Sequence, residues 1–150
     1  MKRARIELRG TTAQDAEFAF ETKKQALGPH VISKWGWDEQ LQKSLHQQRW
    51  LNKTWFVLQF AGQDIGTVAI DEADDQIRLG EFYLLDGFRN QGFGSMILQY
   101  VLETADQRKQ TVVLEVLKWN PVFALYQRNG FEVTAETDIH YHMLRQPQPL

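Results

Sequence analysis

A glycine-bearing loop between a predicted strand and a predicted helix is the part of the chain best suited to bind an anion. Arg89, Gly92 and Gly94 lie within residues 82–96, where an apolar strand runs into a loop that opens directly into an amphipathic helix. Glycines at such a turn let the backbone expose successive N–H groups, and a helix N-terminus attracts negative charge. The pattern predicts a pyrophosphate site to which Arg89 adds a charge-assisted contact.

Two better-known phosphate loops do not fit these residues. A Walker loop needs Gly-Lys-Ser/Thr, and the loop contains no lysine. A dinucleotide fingerprint needs a third glycine at position 97, where the chain has Ile97. A tight strand-to-helix turn without a ligand is the remaining alternative to a pyrophosphate site.

Two blocks of sequence together resemble the GNAT superfamily of acetyl-CoA-dependent N-acetyltransferases. The first is the pattern Arg/Gln-x-x-Gly-x-Gly/Ala, which Arg89, Gly92 and Gly94 meet. The second lies within residues 114–131, where a strand is followed by Asn and then by Ala-Leu-Tyr-x-x-x-Gly-Phe. The chain departs from the pattern at Asn90, where many relatives have glycine, but asparagine tolerates a left-handed backbone.

The resemblance implies a fold and a co-substrate. The fold is mixed α/β (α+β): a mostly antiparallel central sheet with splayed parallel central strands, flanked by helices, in a single domain over residues 1–150. The co-substrate is acetyl-CoA, with no metal. A backbone N–H near Leu84 or Leu85 would face the thioester oxygen. Coenzyme contacts are expected from Leu84, Leu85, Arg89, Asn90, Gln91, Gly92, Phe93, Gly94, Ser95 and Asn120.

The resemblance also gives Tyr126 a catalytic role, as the acid that protonates the leaving thiolate. A phenol has a pKa of about 10, which is close enough to that of a thiol for this transfer. The alternative is a half-buried tyrosine that uses its ring only for packing. Asn120 has two similar interpretations, as a coenzyme contact or as an N-cap before Pro121.

The general base has more than one candidate. Glu81 lies on the strand beside the expected acetyl site, and related enzymes often use an acid there through water. Glu115 on the neighbouring strand is the alternative, and ordered water is a third route for the proton. Both glutamates are also compatible with solvated strand positions.

The acceptor site is expected between the first two helices. Aromatic and acidic side chains in this region would suit a cationic amine, although the tryptophans are equally suited to the core and the acids to a helix start. These residues are His30, Trp35, Trp37, Asp38 and Glu39.

Two histidines alternate along the last predicted strand. His140 and His142 therefore lie on the same side of that strand. No third ligand has metal-site spacing, so we expect a polar sheet face or part of the acceptor cleft.

The predicted elements alternate in a mixed order that suits a sheet covered by helices. A first strand over residues 3–9 precedes a helix that begins with a Thr12–Asp15 capping box and ends at Gly28-Pro29. Asp38 is the expected N-cap of a second helix. Further strands are predicted at 55–60, 65–70, 77–85, 111–116, 131–135 and 139–144, with helices at 95–107 and from Asn120 to Gly130.

Composition excludes several classes of function. The 150 residues are 43% hydrophobic and 24% charged, in the globular range. A formal net charge of −2 disfavours a nucleic-acid binder. With no cysteine, thiolate chemistry and Cys-based zinc sites are excluded. Neither a signal peptide nor a membrane span is predicted, so we expect a cytoplasmic protein without membrane or nucleic-acid partners.

The sequence therefore predicts an N-acetyltransferase. It would transfer an acetyl group from acetyl-CoA to a primary amine of unknown identity, on a small molecule or a peptide, by direct attack on the thioester. A non-catalytic domain of the same fold that binds acyl-CoA as a sensor or scaffold is the alternative. The sequence is compatible with a homodimer.

Overall fold

The structure is a computed structural model. It describes residues 6–150, with only the backbone described for residues 30–35. A short 3-10 turn at Asp86–Phe88 follows the fourth strand. The main elements, in chain order, are β1 Ile6–Gly10, α1 Asp15–Trp35, α2 Glu39–Asn52, β2 Trp55–Phe60, β3 Gln63–Glu72, β4 Gln76–Leu84, α3 Phe93–Gln107, β5 Thr111–Leu117, α4 Phe123–Arg128, β6 Glu132–Glu136 and β7 His140–Arg145.

The seven strands form one mixed sheet in the order β1-β2-β3-β4-β5-β7-β6. Strand β4 pairs with β5 in parallel, and the parallel ladder joins residues 76–78 to residues 111–113. The β1–β2, β2–β3, β5–β7 and β6–β7 pairs are antiparallel. The predicted fold class, a mostly antiparallel sheet with a parallel pair and flanking helices, is confirmed.

One compact unit contains residues 6–70 and 81–94. Strands β2 and β3 form a tight hairpin because Ala61 and Gly62 both adopt positive φ, which a two-residue turn requires. Part of the core of this unit is a cluster of Ala19, Trp55 and Ala69, with Trp50 packed against it. Helices α1 and α2 thus bury their apolar sides in the same unit as the hairpin.

A second compact unit contains residues 71–80 and 95–150. Helix α3 buries the apolar stripe that the sequence predicts, formed by Ile97, Leu98, Val101, Leu102 and Ala105. Asp106 at its end accepts two hydrogen bonds from Arg145 on β7, at 2.8 and 3.0 Å. The ion pair fixes the end of α3 against the last strand. That residues 1–150 form a single domain stays a prediction.

Helix α1 does not end at Gly28-Pro29, and this prediction was wrong. The helix continues to Trp35. Pro29 lacks the N–H that would bond to the carbonyl of Gln25 four residues earlier. The Gln25 oxygen instead accepts a hydrogen bond from Nη2 of Arg89 at 3.0 Å. A side chain from a distant loop therefore compensates for the proline.

Two other predicted helix ends agree with the structure, whereas α4 begins at Phe123 and not at Asn120. Asp38 is the N-cap of α2, because its Oδ1 accepts a hydrogen bond from the Leu41 N–H at 3.1 Å. Gly130 follows α4 with φ +91°, as expected for a glycine that ends a helix. Within residues 6–150, none of the helices combines the length and apolar character that crossing a membrane requires.

Candidate active site

Two residues of the loop between β4 and α3 have a left-handed backbone conformation. Gly92 has φ +84° and Asn90 has φ +59°. The left-handed conformation expected for Asn90 is confirmed. A Cβ added at Gly92 would meet no atom within 4 Å, so the space in front of this backbone is open. The first N–H groups of α3 follow directly and have no partner within the helix.

Arg89 holds this loop through several hydrogen bonds. Its Nε donates to the Leu84 carbonyl at 3.2 Å, and its Nη2 donates to the Gln25 carbonyl. The same guanidinium forms an ion pair with Asp86. Because these partners belong to the protein, the structure gives Arg89 a role in loop geometry. Its contact with pyrophosphate stays a prediction.

Phe93 anchors the start of α3 in the core. Its ring is buried and lies 4.7 Å from that of Phe60 and 6.0 Å from that of Phe88, measured between centroids. Only the backbone of Phe93 is thus suited to a ligand contact. Ser95 and Gln91 are exposed, and Gln91 donates from Nε2 to the Gly87 carbonyl at 2.6 Å.

The end of β4 supplies the two candidate donors for a thioester oxygen. The N–H of Leu85 already donates to the Ile65 carbonyl at 2.8 Å. Of the two residues, Leu84 is therefore the better candidate. Gly66 on β3 permits the close approach of this segment, because a Cβ there would lie 2.3 Å from the Tyr83 oxygen and 3.2 Å from the Leu84 Cα.

The backbone of β4 is irregular at Glu81, and the side chain of this residue is buried. Its φ is +48°, a left-handed conformation that is uncommon for a residue other than glycine. Burial acts to raise the pKa of Glu81, but the charges of Lys23, Lys53 and Arg49 outweigh it and the pKa is lowered. Such a carboxylate stays ionised and is a weak base. Its role as general base stays a prediction.

Sequence reasoning missed the three cations that contact Glu81. Lys23 lies on α1, Arg49 on α2 and Lys53 at the C-cap of α2. The spacing of Arg49 and Lys53 places both on one side of the last helical turn. Nothing in the sequence links that turn to Glu81, which lies 28 residues after Lys53.

Glu115, the other candidate base, lies between the two histidines of β7. Its Oε1 is 3.2 Å from Nδ1 of His140, and its Oε2 is 4.0 Å from Nδ1 of His142. The antiparallel register, which places Glu115 opposite His142, brings the three together. All three side chains keep contact with solvent. Among the described residues, no group of three or more His, Asp or Glu side chains is arranged to hold a metal ion.

Tyr126 lies on α4 and is only 5% exposed. Its ring packs edge-on against Phe131, with centroids 5.5 Å apart, and burial raises the pKa of its hydroxyl. The phenol is thus firmly neutral. Oδ1 of Asn120 accepts a hydrogen bond from the Val122 N–H at 3.1 Å in the turn before α4, but the N-cap of α4 is Val122, so the N-cap interpretation of Asn120 was wrong. Catalysis by Tyr126 and coenzyme binding by Asn120 stay predictions.

The acidic residues expected near the acceptor have partners in the structure. Glu39 accepts a hydrogen bond from Nε1 of Trp37 at 2.7 Å and pairs with Lys24 at 3.0 Å. Asp38 caps α2. The side chains of His30 and Trp35 lie outside the described residues.

Solved structures share this fold at low sequence identity. PaiA N-acetyltransferase from Thermoplasma acidophilum, in complex with coenzyme A, is 18% identical, with a TM-score of 0.76 over 95% of this chain and 99% of its own. The ribosomal-protein-S18-alanine N-acetyltransferase from Escherichia coli is also 18% identical, with a TM-score of 0.69 over 99% and 96%. A GNAT-family acetyltransferase from Staphylococcus aureus Mu50 is 17% identical, with a TM-score of 0.69 over 96% and 100%.

Comparisons at the level of sequence show which family the chain belongs to. No curated protein matches the chain significantly. The family model described as "Acetyltransferase (GNAT) domain" matches residues 52–133, which is more than half of the chain and includes the loop after β4 and the segment around Tyr126. The chain belongs to the GNAT acetyltransferase family.

Proposed function

We propose that this protein transfers an acetyl group from acetyl-CoA to a primary amine by direct attack on the thioester. The observation that carries the proposal is the loop after β4, where Gly92 at φ +84° exposes its backbone to open space just before a 15-residue helix. Such a turn suits a pyrophosphate. The coenzyme A bound to the Thermoplasma acidophilum enzyme supports this choice of co-substrate.

The proposed reaction needs few groups. The neutral amine nitrogen attacks the thioester carbonyl carbon, and the oxygen that becomes negative is stabilised by the N–H of Leu84. The C–S bond then breaks, the nitrogen gives up its proton to Glu81, Glu115 or water, and the thiolate takes a proton from Tyr126. The products are the N-acetylated amine and free coenzyme A.

Substitution of Gly92 tests the coenzyme site. Gly92→Ala places a methyl group in the open space before the loop, and we expect calorimetry to show at least ~10-fold weaker binding of acetyl-CoA. A positive φ costs an alanine about 1–2 kcal/mol of stability. Gly62→Ala is a matched control, because Gly62 has φ +79° and its added Cβ would also meet no atom within 4 Å. Equal affinities of the two folded variants would contradict the proposed site.

Release of free thiol from acetyl-CoA across a panel of amines tests the reaction. We expect at least one amine to accelerate thiol release in proportion to the amount of acetylated product detected by mass spectrometry. Binding of acetyl-CoA without turnover on any amine of the panel would favour the alternative, a non-catalytic acyl-CoA-binding domain.

A further inference from the structure

Three cations surround the buried carboxylate of Glu81, and we call Lys23, Arg49, Lys53 and Glu81 the Glu81 cluster. Oε2 of Glu81 lies 3.5 Å from Nζ of Lys23. Oε1 lies 3.4 Å from Nζ of Lys53 and 3.8 Å from Nε of Arg49. One carboxylate thus faces three cations, all in the same compact unit.

The Glu81 cluster contains more positive than negative charges. The side chains of Lys23 and Glu81 are 6% and 5% exposed, so water screens them weakly. Burial lowers the pKa of Lys23 to about 8, and the charges of Arg49 and Lys53 contribute to the shift. An additional anion would relieve the repulsion among the cations.

Other ion pairs of the same unit have no such excess. Arg9 faces two carboxylates, those of Asp15 and Asp64. Lys24 pairs with Glu39 and Arg89 with Asp86, one cation to one carboxylate in each case. Among the described ion pairs of this unit, the Glu81 cluster is the place where cations outnumber carboxylates.

The exposed parts of the cluster can reach a ligand. The side chain of Arg49 is 40% exposed and that of Lys53 is 30% exposed. Glu81 precedes Leu84 by three residues, which is at most roughly 10 Å along the strand, whereas the Gly92 loop follows Leu84. The cluster and the pyrophosphate loop therefore lie on opposite sides of the proposed thioester position along the chain.

We propose that the Glu81 cluster binds a carboxylate of the acceptor, so that the acceptor is an amine that also carries a carboxylate, such as an amino acid. This inference rests on the proposed acetyl transfer. Arg49 and Lys53 supply charge-assisted hydrogen bonds to the carboxylate. The same positive field disfavours the ammonium form of the amine and so favours the neutral nucleophile. It also repels a purely cationic acceptor such as a polyamine.

Matched acceptors test the proposal. Alanine, leucine and glutamate are each compared with their α-carboxamides, which keep the amine and lose that carboxylate, in assays of thiol release. For at least one pair we expect kcat/KM to be about 10- to 100-fold higher for the carboxylate, because a charge-assisted hydrogen bond is lost in the amide. Equal use of acid and amide in all pairs overturns the proposal.

Variants then assign the effect to the cluster. Arg49→Gln and Lys53→Gln should each lower the preference for the carboxylate at least ~5-fold, mainly through KM of the acceptor, and leave the affinity for acetyl-CoA unchanged. Arg128→Gln is the control, since Arg128 is exposed and lies on α4. An unchanged preference in both folded cluster variants contradicts the proposal.

A binding measurement separates this proposal from the proposed reaction. Calorimetry with coenzyme A present compares N-acetyl-L-alanine, N-acetyl-L-leucine and N-acetyl-L-glutamate with the corresponding amides. Tighter binding of an acid, lost in Lys53→Gln, supports carboxylate recognition even if no amine is acetylated. Equal or absent binding of all acids and amides, together with acetylation of other amines, leaves the reaction standing and rejects the carboxylate site.

Discussion

The contacts of Arg89 and Glu81 in the structure differ from those that their residue types and positions in the sequence predict. Arg89 matches the GNAT pattern for pyrophosphate binding, yet its guanidinium contacts Leu84, Gln25 and Asp86. Glu81 sits where a general base is expected, yet three cations lower its pKa. Sequence identifies such positions through a motif, but it cannot show the partners, because these come from segments far apart in the chain.

Tyr126 illustrates how the surroundings of a residue restrict its chemistry. Burial raises the pKa of its hydroxyl, which makes the phenol a weaker acid. If it donates the proton to the thiolate, Tyr126→Phe keeps the packing against Phe131 and lowers kcat about 10²–10⁴-fold, with little change in KM for acetyl-CoA.

The control for this substitution is Tyr100→Phe, because Tyr100 is 58% exposed on α3. Steady-state kinetics with an accepted amine measure both variants. A wild-type kcat in a well-folded Tyr126→Phe variant would remove the hydroxyl from the mechanism and leave water as the proton source.

At the scale of helices and strands, the sequence pattern predicts the structure correctly where local interactions determine it. The amphipathic helix α3 and the Asp38 cap agree with the prediction. Helix α1 does not, because a contact with Arg89 stabilises the carbonyl that Pro29 leaves without a donor. Local rules fail where a tertiary contact replaces the missing hydrogen bond.

A double-mutant cycle measures this replacement. Pro29→Ala restores an N–H for the Gln25 carbonyl and should stabilise the protein, since proline inside a helix costs about 3 kcal/mol. Arg89→Ala should then be less destabilising by about 1 kcal/mol than it is in the wild type. Free energies of unfolding from urea titrations give the coupling.

Gly28→Ala provides the matched control for the cycle. It lies on the same helix, and its added Cβ would be 3.8 Å from Lys24 Cγ, an ordinary contact. We expect no coupling between Gly28→Ala and Arg89→Ala. Equal coupling of positions 28 and 29 to Arg89 would mean that the effect comes from general helix stability.

At the scale of the whole molecule, the net charge does not show how the charged residues are distributed. The formal net charge of −2 does not indicate that three cations and one carboxylate lie together in the Glu81 cluster. The family could be predicted from two sequence blocks and the order of the elements from hydrophobic patterns along the chain, because both signals are local. The Glu81 cluster could not, because it joins α1, α2 and β4.

The Glu81 cluster also predicts how the stability of the protein depends on pH. The pKa of Lys23 is lowered to about 8 by burial, against 10.5 for a free lysine. Between these values the unfolded chain binds more protons at this residue than the folded protein does. The free energy of unfolding therefore rises with pH from about 8 to 10, by at most roughly 3 kcal/mol from this group.

Lys23→Met isolates this contribution, because comparing the two proteins cancels the contributions of groups outside the Glu81 cluster. Besides burial, Arg49 and Lys53 lower the pKa of Lys23 and Glu81 raises it, and the charge of Lys23 contributes to lowering the pKa of His46. Relative to the variant, we expect the wild type to gain stability between pH 8 and pH 10, as measured by urea unfolding at each pH. The wild type gains stability because below pH 8 the folded protein holds a buried ammonium beside two other cations, and this unfavourable charge is lost as the pH rises.

Parallel stability curves for the two proteins would show that Lys23 keeps its ordinary pKa. The cations of the cluster would then be screened from one another, and the excess positive charge that favours an acceptor carboxylate would be weaker than the distances imply.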